Sequence, residues 1–466
     1  MSQPSSPTKV AGRVAIIGAG PAGLAALRQL LSSSQALRIE IVDSNSRIGG
    51  QYWRHQEGSE FPAIKFDPRS YSFTANKKSE VFWHLSSSVW QIEKVDQIFR
   101  LHIASNVGDS ASTIEVEKII IATGASERTL PFKNWTTPGV MSAGALQSLA
   151  KEYRVIPGKK IVIAGSGVFA MPVAKTIKEV AKKCGKEVEV TIIEAQSILR
   201  WWRNTLAFLL NPSKIVEALG FLIFMKSHGV KRLSKRIVRE AKTDNGKIVG
   251  VHLSKVGSDL RSKLDAEFIP ADLVATSFGF TPDMTLASIL GLERKFQDGD
   301  AVVVVDSKQR TSIDGVWAAG EITGIGGHEL AITEGLIAAR NLLNEKSILL
   351  KWRRLRERFF ARGLRAIYPI SKGWIESLDD AEVVCRCEEV CAGEIKQSAK
   401  ELGADSARTA KLFTRAGMGL CQGRICQRNV AEIIDFARSD VKGSSDANRE
   451  TVRPIGGVVT LGGLSD

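Results

Sequence analysis

Four cysteines near the end of this 466-residue chain have the type and spacing needed to bind iron. Cys385 and Cys387 form a C-x-C pair, and four residues separate Cys421 from Cys426. Soft thiolates match iron, and a [2Fe–2S] cluster takes four protein ligands. Because such a cluster moves single electrons, the spacing predicts a redox protein. A structural zinc site is the alternative, but zinc sites usually pair cysteines as C-x2–4-C.

The loop before the second cysteine pair is rich in glycine, and a helix is predicted after it. Without a Cβ, glycine lets backbone N–H groups approach the sulfurs. Residues 429–437 have the period of an amphipathic helix, whose N-terminus would face the anionic cluster. Cys184 and Cys391 fall outside the pattern and are expected to be reduced core thiols. The glycines are Gly417, Gly419 and Gly423, and the neighbouring cations are Arg386, Arg415 and Arg424.

Residues 380–437 resemble the bacterioferritin-associated-ferredoxin-like (BFD-like) [2Fe–2S] domain. The resemblance rests on both cysteine pairs and on the glycine-rich stretch at residues 414–426. It implies that the metal ligands are Cys385, Cys387, Cys421 and Cys426.

A nucleotide-binding pattern opens the chain. An apolar strand at residues 14–17 leads directly into Gly18-x-Gly20-x-x-Gly23 and then into a predicted helix. These glycines permit a tight turn, a close approach of pyrophosphate to the backbone, and close packing of helix on strand. A second strand ends at Asp43, twenty residues after Gly23, where a carboxylate can accept hydrogen bonds from an adenosine ribose. Together they predict a dinucleotide site.

Three further segments extend this pattern. One buried strand ends at Thr123-Gly124, another ends at Gly320-Glu321, and residues 49–53 read Gly-Gly-Gln-Tyr-Trp. Together they resemble the two-dinucleotide-binding flavoproteins of the thioredoxin-reductase and glutathione-reductase type. The resemblance implies FAD, with Asp43 at its ribose, Thr123-Gly124 beside it and Gly320-Glu321 at the ribityl and phosphate part. Glu321 replaces the aspartate usual in that family, and the signature also includes Gly50 and Gln51.

A second nucleotide fold is predicted from residue 160 onward. Its strand leads into Gly165-x-Gly167, and its next strand ends at Glu194. By the same resemblance this is a pyridine-nucleotide domain, in which Glu194 favours NAD or another adenine nucleotide such as ATP over NADP. Ala170 occupies the third small position and Pro172 is expected to interrupt the helix start, so NAD, ATP and an empty site all stay open.

Two observations limit the chemistry. No C-x-x-C occurs near either glycine motif, which excludes the redox-active disulfide of disulfide reductases. His328 is expected near the flavin as the first residue of a helix, where it is not catalytic. The catalytic residues therefore stay unknown at this stage.

The predicted fold class is α/β, with two Rossmann-like domains, the second inserted in the first, and a small helical [2Fe–2S] domain. The predicted boundaries follow from the motif positions. They are 10–124 and 276–346 for the FAD domain, 125–275 for the inserted domain, 347–379 for a basic helical linker, 380–437 for the cluster domain and 438–466 for a tail with a docking strand at residues 452–459.

Composition limits partners and location. The net charge of +14 is spread out and no nucleic-acid-binding motif is present, so nucleic acid is not expected as a partner. Six cysteines without a disulfide framework, and an N-terminus without an apolar leader, predict a cytoplasmic protein. The apolar stretch 206–224 is interrupted by Asn, Pro and Lys, which predicts peripheral membrane contact at most, at the inner face, and no span.

The basic linker is predicted to be an amphipathic helix at residues 351–365. Trp352, Leu355 and Phe359 fall on one face, which is expected to pack against the protein while the arginines face solvent. The alternative is docking of this helix to an acidic partner subunit or to an anionic membrane.

A flavoprotein fused to this cluster domain is similar, over nearly the whole chain, to the FAD-binding subunit of heteromeric amino-acid and opine dehydrogenases. The resemblance implies an electron relay whose partners are an amino-acid-oxidase-like FAD subunit and a small iron–sulfur subunit. Two other functions stay open. One is a stand-alone NADH-dependent reductase that passes electrons to a ferredoxin-like or quinone acceptor, and the other is a cluster-bearing docking protein without turnover.

Overall fold

The computed structural model describes residues 12–56, 79–439, 455–457, 459–460 and 462. The chain divides into two compact units. The first comprises the described residues of Met1–Ala125, Pro282–Ala361 and Val452–Asp466, and the second those of Ser126–Thr281 and Arg362–Thr451.

The strands, numbered in chain order, are short and rich in β-branched residues. They are β1 Arg13–Ile17, β2 Arg38–Val42, β3 Glu80–His84, β4 Ser87–Val95, β5 Ile98–Ser105, β6 Ala111–Val116, β7 Lys118–Ile121, β8 Ala125–Glu127, β9 Val140–Ser142, β10 Lys160–Gly165, β11 Glu189–Glu194, β12 Lys231–Ser234, β13 Arg236–Asp244, β14 Lys247–Val256, β15 Ser262–Pro270, β16 Leu273–Ser277, β17 Phe280–Pro282, β18 Arg294–Gln297, β19 Asp300–Val303, β20 Val316–Ala318, β21 Val383–Cys385 and β22 Val390–Cys391.

The helices are numbered in the same way. They are α1 Pro21–Leu31, α2 Ala143–Tyr153, α3 Ala170–Lys183, α4 Thr205–Leu209, α5 Pro212–Ser227, α6 Thr285–Ile289, α7 His328–Leu342, α8 Ile348–Ile367, α9 Gly373–Glu376, α10 Ala392–Lys400, α11 Ala407–Thr414 and α12 Gln427–Ala437, with 3-10 turns at Ile198–Asn204 and Glu321–Thr323.

The first unit is built on a parallel sheet of order β20-β7-β1-β2-β3. Its central strands are buried, as parallel strands covered on both faces must be. Helix α7 packs against α1 so closely that a Cβ on Gly335 would lie 2.1 Å from the Ala22 carbonyl oxygen. Strands β4, β5 and β6 form an antiparallel sheet beside it.

The second unit contains another parallel sheet, of order β12-β11-β10-β16-β9, and the antiparallel sheet β13-β14-β15. Since β9 to β16 fall in sequence between β7 and β20 of the first sheet, one nucleotide fold is inserted in the other, which confirms the predicted α/β class. The expected interruption at Pro172 is wrong. Helix α3 begins at Ala170, and Pro172 lies in the first turn, where its missing N–H has no intrahelical partner to lose.

The C-terminal helices share a core with the inserted fold. Val384, Ile395 and Ile433 are buried in one cluster with Leu130 and Phe278.

A buried ion pair strengthens this contact. Glu432 of α12 accepts from Arg128 at 2.6 Å and from the Trp374 indole at 3.2 Å. Burial alone would raise the pKa of Glu432, but Arg128 and Arg428 lower it overall. The cluster domain is therefore attached to the inserted fold through apolar packing and a desolvated charge network.

The linker helix α8 is oriented opposite to the expectation. Five of its large apolar residues face solvent, with exposed fractions of 40–84%. Its Arg354 is buried instead, because it pairs with Glu334 of α7, a carboxylate with 0% exposure. The exposed apolar residues are Ile348, Leu349, Trp352, Leu355 and Phe359.

The two cysteines outside the cluster pattern are not in the core. Cys184 is exposed and Cys391 is half-buried at the start of α10, so neither is a core thiol. Half of the predicted tail strand at residues 452–459 lies outside the described residues, and in the described half the Gly456 N–H donates to the Trp90 carbonyl at 2.6 Å. Within the described ranges, no helix has the length and apolar character to cross a bilayer.

Candidate functional site

The four cysteines of the predicted cluster come from two loops that the fold brings together. Cys385 and Cys387 belong to the hairpin formed by β21 and β22, and Cys421 lies in a turn that ends where Cys426 caps α12. Helix α12, predicted at residues 429–437, begins slightly earlier at Gln427, directly after the last cysteine. Its N-terminus therefore adjoins the thiols, which favours negative charge there.

The four thiols are linked to one another by hydrogen bonds. Cys426 bonds to Cys385 and to Cys421, which lowers their pKa values to about 6 and about 5. Cys421 bonds in turn to Cys387. Backbone N–H groups also donate hydrogen bonds to the sulfurs and so stabilise the thiolate form. The Gly417 N–H donates to Cys385 Sγ at 3.4 Å.

This arrangement fits a [2Fe–2S] cluster. Four adjacent sulfurs, of which Cys385 and Cys421 have lowered pKa values, are the donor set that two irons require, at two sulfurs per iron. Among the residues that the structure describes, no three or more His, Cys, Asp or Glu side chains form a group suited to a single metal ion. Which cysteines ligate stays a prediction from the motif.

Two glycines make the convergence sterically feasible. A Cβ on Gly419 would lie 2.1 Å from the Cys387 Cβ, so a side chain there would push the two loops apart. Gly417 has φ +87°, a backbone conformation that favours glycine.

One edge of the cysteine group reaches the surface. Cys385 and Cys426 are buried, Cys421 is intermediate and Cys387 is exposed. Leu420, next to Cys421, is 81% exposed. An electron acceptor would therefore approach the cysteine group most closely on the Cys387 side.

The first nucleotide site has the close packing that its glycines predict. A Cβ on Gly18 would lie 2.3 Å from the Ala122 carbonyl oxygen, and one on Gly23 would lie 1.9 Å from the Gly18 carbonyl oxygen. A Cβ on Gly50 would meet Gly20 Cα at 2.8 Å. Gly20 is the N-cap of α1 and Pro21 follows, so free N–H groups mark this end of the helix.

Asp43 lies at the end of β2 beside this turn. Its Oδ2 accepts from the Ala19 N–H at 2.6 Å, and its Oδ1 accepts from the Asn45 N–H at 2.8 Å. These bonds hold the carboxylate at the strand's carboxyl edge, which is where the ribose of a dinucleotide would bind. A bare glycine turn with a fixed carboxylate fits FAD.

The remaining predicted FAD residues lie in the same unit. Thr123 Oγ1 donates to the Asp283 carbonyl at 3.1 Å, and the Asp283 N–H donates to the Gly124 carbonyl at 3.1 Å. Glu321 accepts from the Gly326 and Gly327 N–H groups, both at 2.9 Å. Its carboxylate thus fixes the loop before α7, an arrangement that its motif does not predict.

Two features of this site have no clear sequence signal. Buried Glu334 accepts from the Gly320 N–H at 3.1 Å and from Thr323 Oγ1 at 2.7 Å, while its other oxygen binds Arg354 and Arg358. One carboxylate therefore connects the cofactor turn at Gly320 to helix α8. His328 begins α7 as predicted, and its ring stacks on Tyr52 of the signature that also includes Gln51, at a centroid distance of 3.9 Å.

The second nucleotide site is enclosed by the chain itself. Glu194 ends β11 at 3% exposure and accepts from the Gln196 N–H at 3.0 Å and the Gly167 N–H at 3.4 Å. Burial raises its pKa to about 7. Burial, together with the Glu194 charge, raises the pKa of Tyr368 to about 12, and the Tyr368 hydroxyl accepts from the Trp201 indole at 3.0 Å.

Two buried hydroxyls beside Gly165 have no partner among the described atoms. They belong to Ser166 and Ser277, at the carboxyl ends of β10 and β16. A Cβ on Gly165 would lie 1.6 Å from the Ser277 carbonyl oxygen, so the turn requires glycine. A polar ligand that entered this site would supply the hydrogen-bond partners that these buried hydroxyls lack.

Comparison with known proteins identifies the fold and the cofactors. Residues 12–335 match the family of pyridine nucleotide-disulphide oxidoreductases. The chain belongs to this family. Residues 383–435 match the BFD-like [2Fe–2S] binding domain. The protein is therefore an FAD-dependent oxidoreductase that also carries a [2Fe–2S] cluster.

Relatives of this oxidoreductase belong to multi-subunit oxidases and synthases. The A subunit of opine oxidase from Agrobacterium tumefaciens (strain Ach5) is 30% identical, and the match covers 90% of this chain and 84% of the relative. Hydrogen cyanide synthase subunit HcnB from Pseudomonas protegens is 29% identical, over 88% of this chain and 89% of the relative.

A solved structure shares the fold. L-proline dehydrogenase from P. horikoshii superimposes with a TM-score of 0.68 at 19% identity, covering 98% of this chain and 79% of that one. The expected relation to opine and amino-acid dehydrogenase subunits is confirmed by the sequence relatives.

Proposed function

We propose that this oxidoreductase is the electron-relaying subunit of a multi-subunit complex that dehydrogenates the C–N bond of an opine or amino acid. The observation that carries the proposal is the group of four linked thiols with Cys387 at the surface. FAD accepts two electrons and a [2Fe–2S] cluster passes them on singly. In the proposal, an amino-acid-oxidase-like flavoprotein subunit oxidises the substrate, and a small iron–sulfur subunit is the third member of the complex.

In this proposal the chain's own residues hold the cofactors. Asp43 would orient the ribose of FAD, the N-terminus of α1 would bind its pyrophosphate, and the turn at Gly320, held by Glu334, would adjoin the ribityl chain. Cys385, Cys387, Cys421 and Cys426 would ligate the irons.

Helix α8 supports the multi-subunit part of the proposal. Its apolar stripe, Leu349, Trp352, Leu355 and Phe359, follows the spacing of a helix-packing seam. Turning this stripe inward would take Arg354 away from buried Glu334 and leave that carboxylate unpaired, which is strongly unfavourable.

The rim of the stripe indicates the partner's chemistry. Arg356 is exposed beside Leu355, whereas the exposed Arg353 already pairs with Glu357 of the same helix at 2.7 Å. Guanidinium groups such as that of Arg356 match carboxylates. The stripe therefore suits an apolar groove with an acidic border on a partner subunit.

The proposed location of this complex is the cytoplasm, at the inner face of the membrane.

Partner-dependent turnover tests the proposal. The loaded chain is assayed with octopine, nopaline, L-proline and sarcosine, alone and after co-expression with subunits encoded by neighbouring reading frames. Reduction of a dye by the complex and none by the isolated chain is expected. Robust oxidation of any of these substrates by the isolated chain would contradict it.

A stand-alone NADH-dependent reductase is the second candidate, and the unpartnered hydroxyls of Ser166 and Ser277 favour it. Anaerobic titration separates the two functions. Bleaching of the flavin by stoichiometric NADH supports the reductase, whereas an unchanged flavin spectrum supports the relay. Burial of Glu194, the carboxylate that would bind the ribose of NADH, favours the unchanged spectrum.

A further inference from the structure

We propose that the surface formed by residues 199–223 of the inserted fold binds an anionic lipid bilayer. The inference deepens the membrane contact proposed above and does not depend on the electron relay. It concerns a part of the second unit that lies outside the cysteine group.

The patch consists of large apolar side chains in water. Eight of them fall within twenty-five consecutive residues of the chain, with exposed fractions of 44–78%. Large exposed apolar patches mark sites that bind proteins or membranes. The eight are Leu199, Trp202, Leu209, Leu210, Val216, Leu219, Leu222 and Ile223.

Helix α5 has two apolar faces, and within the described part of the chain one of them is packed and the other is exposed. Met225 is buried, and Phe221 and Phe224 pack against the core of the inserted fold. Val216, Leu219 and Ile223 recur at intervals of three and four residues on the outer side. The helix is therefore apolar on a side that the described residues leave exposed to water.

Positive charge surrounds the patch in sequence. Between residues 198 and 236 the chain has eight lysines and arginines and a single acidic residue, Glu217. Glu217 is paired with Lys214 at 2.7 Å, and the exposed cations in the last turn of the helix and beyond it are Lys226, Lys231 and Lys235. The patch thus combines apolar area with a positive border.

The occupant that fits this combination is a bilayer with anionic headgroups. Trp, Leu and Ile on one side with Lys beside them is the composition of a helix that lies in a membrane interface. These three exposed cations are lysines, flexible point charges that suit diffuse headgroup charge, whereas the rim of the α8 stripe consists of arginines. The Asn211-Pro212 break between α4 and α5 restricts this region to the interface.

Vesicle sedimentation tests the inference with the FAD- and cluster-loaded chain. The probes are phosphatidylcholine vesicles with and without phosphatidylglycerol. We expect binding to the anionic vesicles only, weaker at high salt, because counterions screen the lysines. The variant Val216→Asp/Ile223→Asp should bind about tenfold more weakly, since two apolar contacts are lost.

Two further variants make the result decisive. Val107→Asp/Leu412→Asp adds the same charge at exposed positions elsewhere and should bind like the wild type. Lys226→Glu/Lys231→Glu changes only exposed charge and should also lose binding. Flavin and cluster absorbance confirm that each variant is folded.

Three outcomes would overturn the inference. In the first, the wild type does not bind anionic vesicles. In the second, Val216→Asp/Ile223→Asp binds them as well as the wild type does. In the third, adding the partner flavoprotein forms a complex and abolishes vesicle binding, which would show that a protein covers the patch. Dye reduction by the reconstituted complex in solution is measured in parallel, so that failure of membrane binding is distinguished from failure of the relay.

Discussion

A single missing Cβ at Gly419 allows the two cysteine loops to meet. The expected position of that atom is 2.1 Å from the Cys387 Cβ, a distance at which one loop must move. We predict that Gly419→Ala lowers bound iron and sulfide several-fold while FAD content stays unchanged. Gly220→Ala is the control, because a Cβ there meets nothing within 4 Å. Equal iron content in the two variants would contradict the role of Gly419.

Glu194 should make the stability of the protein depend on pH. Burial raises its pKa from 4.5 to about 7. The contribution of Glu194 to the free energy of unfolding is therefore fully present below about pH 4.5. It is lost as the pH rises through about 7, which lowers the free energy of unfolding by up to about 3 kcal/mol.

The variant Glu194→Gln isolates this effect. Its thermal midpoint should match that of the wild type near pH 4 and exceed it at pH 8. A wild-type midpoint that is higher at pH 8 would show that the carboxylate is stabilised rather than strained by its surroundings.

At the scale of elements, α8 depends on Glu334. Replacing it with Gln leaves Arg354 buried without its carboxylate, which costs about 3–5 kcal/mol. We predict that Glu334→Gln lowers the thermal midpoint and releases FAD more readily, since the single amide oxygen cannot accept from both the Gly320 N–H and Arg354. The exposed Glu345→Gln should change neither property.

The outer stripe of α8 should determine complex formation. Leu355→Asp/Phe359→Asp places charge in the proposed seam, so we predict loss of the partner subunit in co-purification while both cofactors are retained. Val107→Asp/Leu402→Asp, at exposed positions elsewhere, serves as the control. Co-purification of equal amounts of partner by both variants would exclude this face as the interface.

Helix α8 also shows what the sequence cannot specify. Periodicity reveals that Trp352, Leu355 and Phe359 share a face, but the direction of that face depends on Glu334, which lies on another helix. The Arg128–Glu432 pair joins residues 304 positions apart, and nothing local marks it. By contrast, the glycine turns and cysteine pairs are local steric and ligand requirements, so their spacing predicts a dinucleotide site and an iron–sulfur cluster, while the resemblance to a flavoprotein class implies FAD.

In the molecule as a whole, we propose that the flavin and the cluster are parts of one electron path. The fold class, the FAD family and the [2Fe–2S] domain follow from the matches at residues 12–335 and 383–435. The relay itself is the proposal, and it distinguishes this protein from one that uses its cluster only for docking.

Photoreduction of the loaded, anaerobic chain with EPR detection is the most direct test of that relay. The account predicts that, once the flavin is reduced by light, the signal of a reduced [2Fe–2S] cluster grows to about one spin per chain. Cys387→Ser, which lacks one proposed ligand, should give an altered or absent signal. A fully bleached flavin beside a cluster that stays oxidised would contradict the central claim.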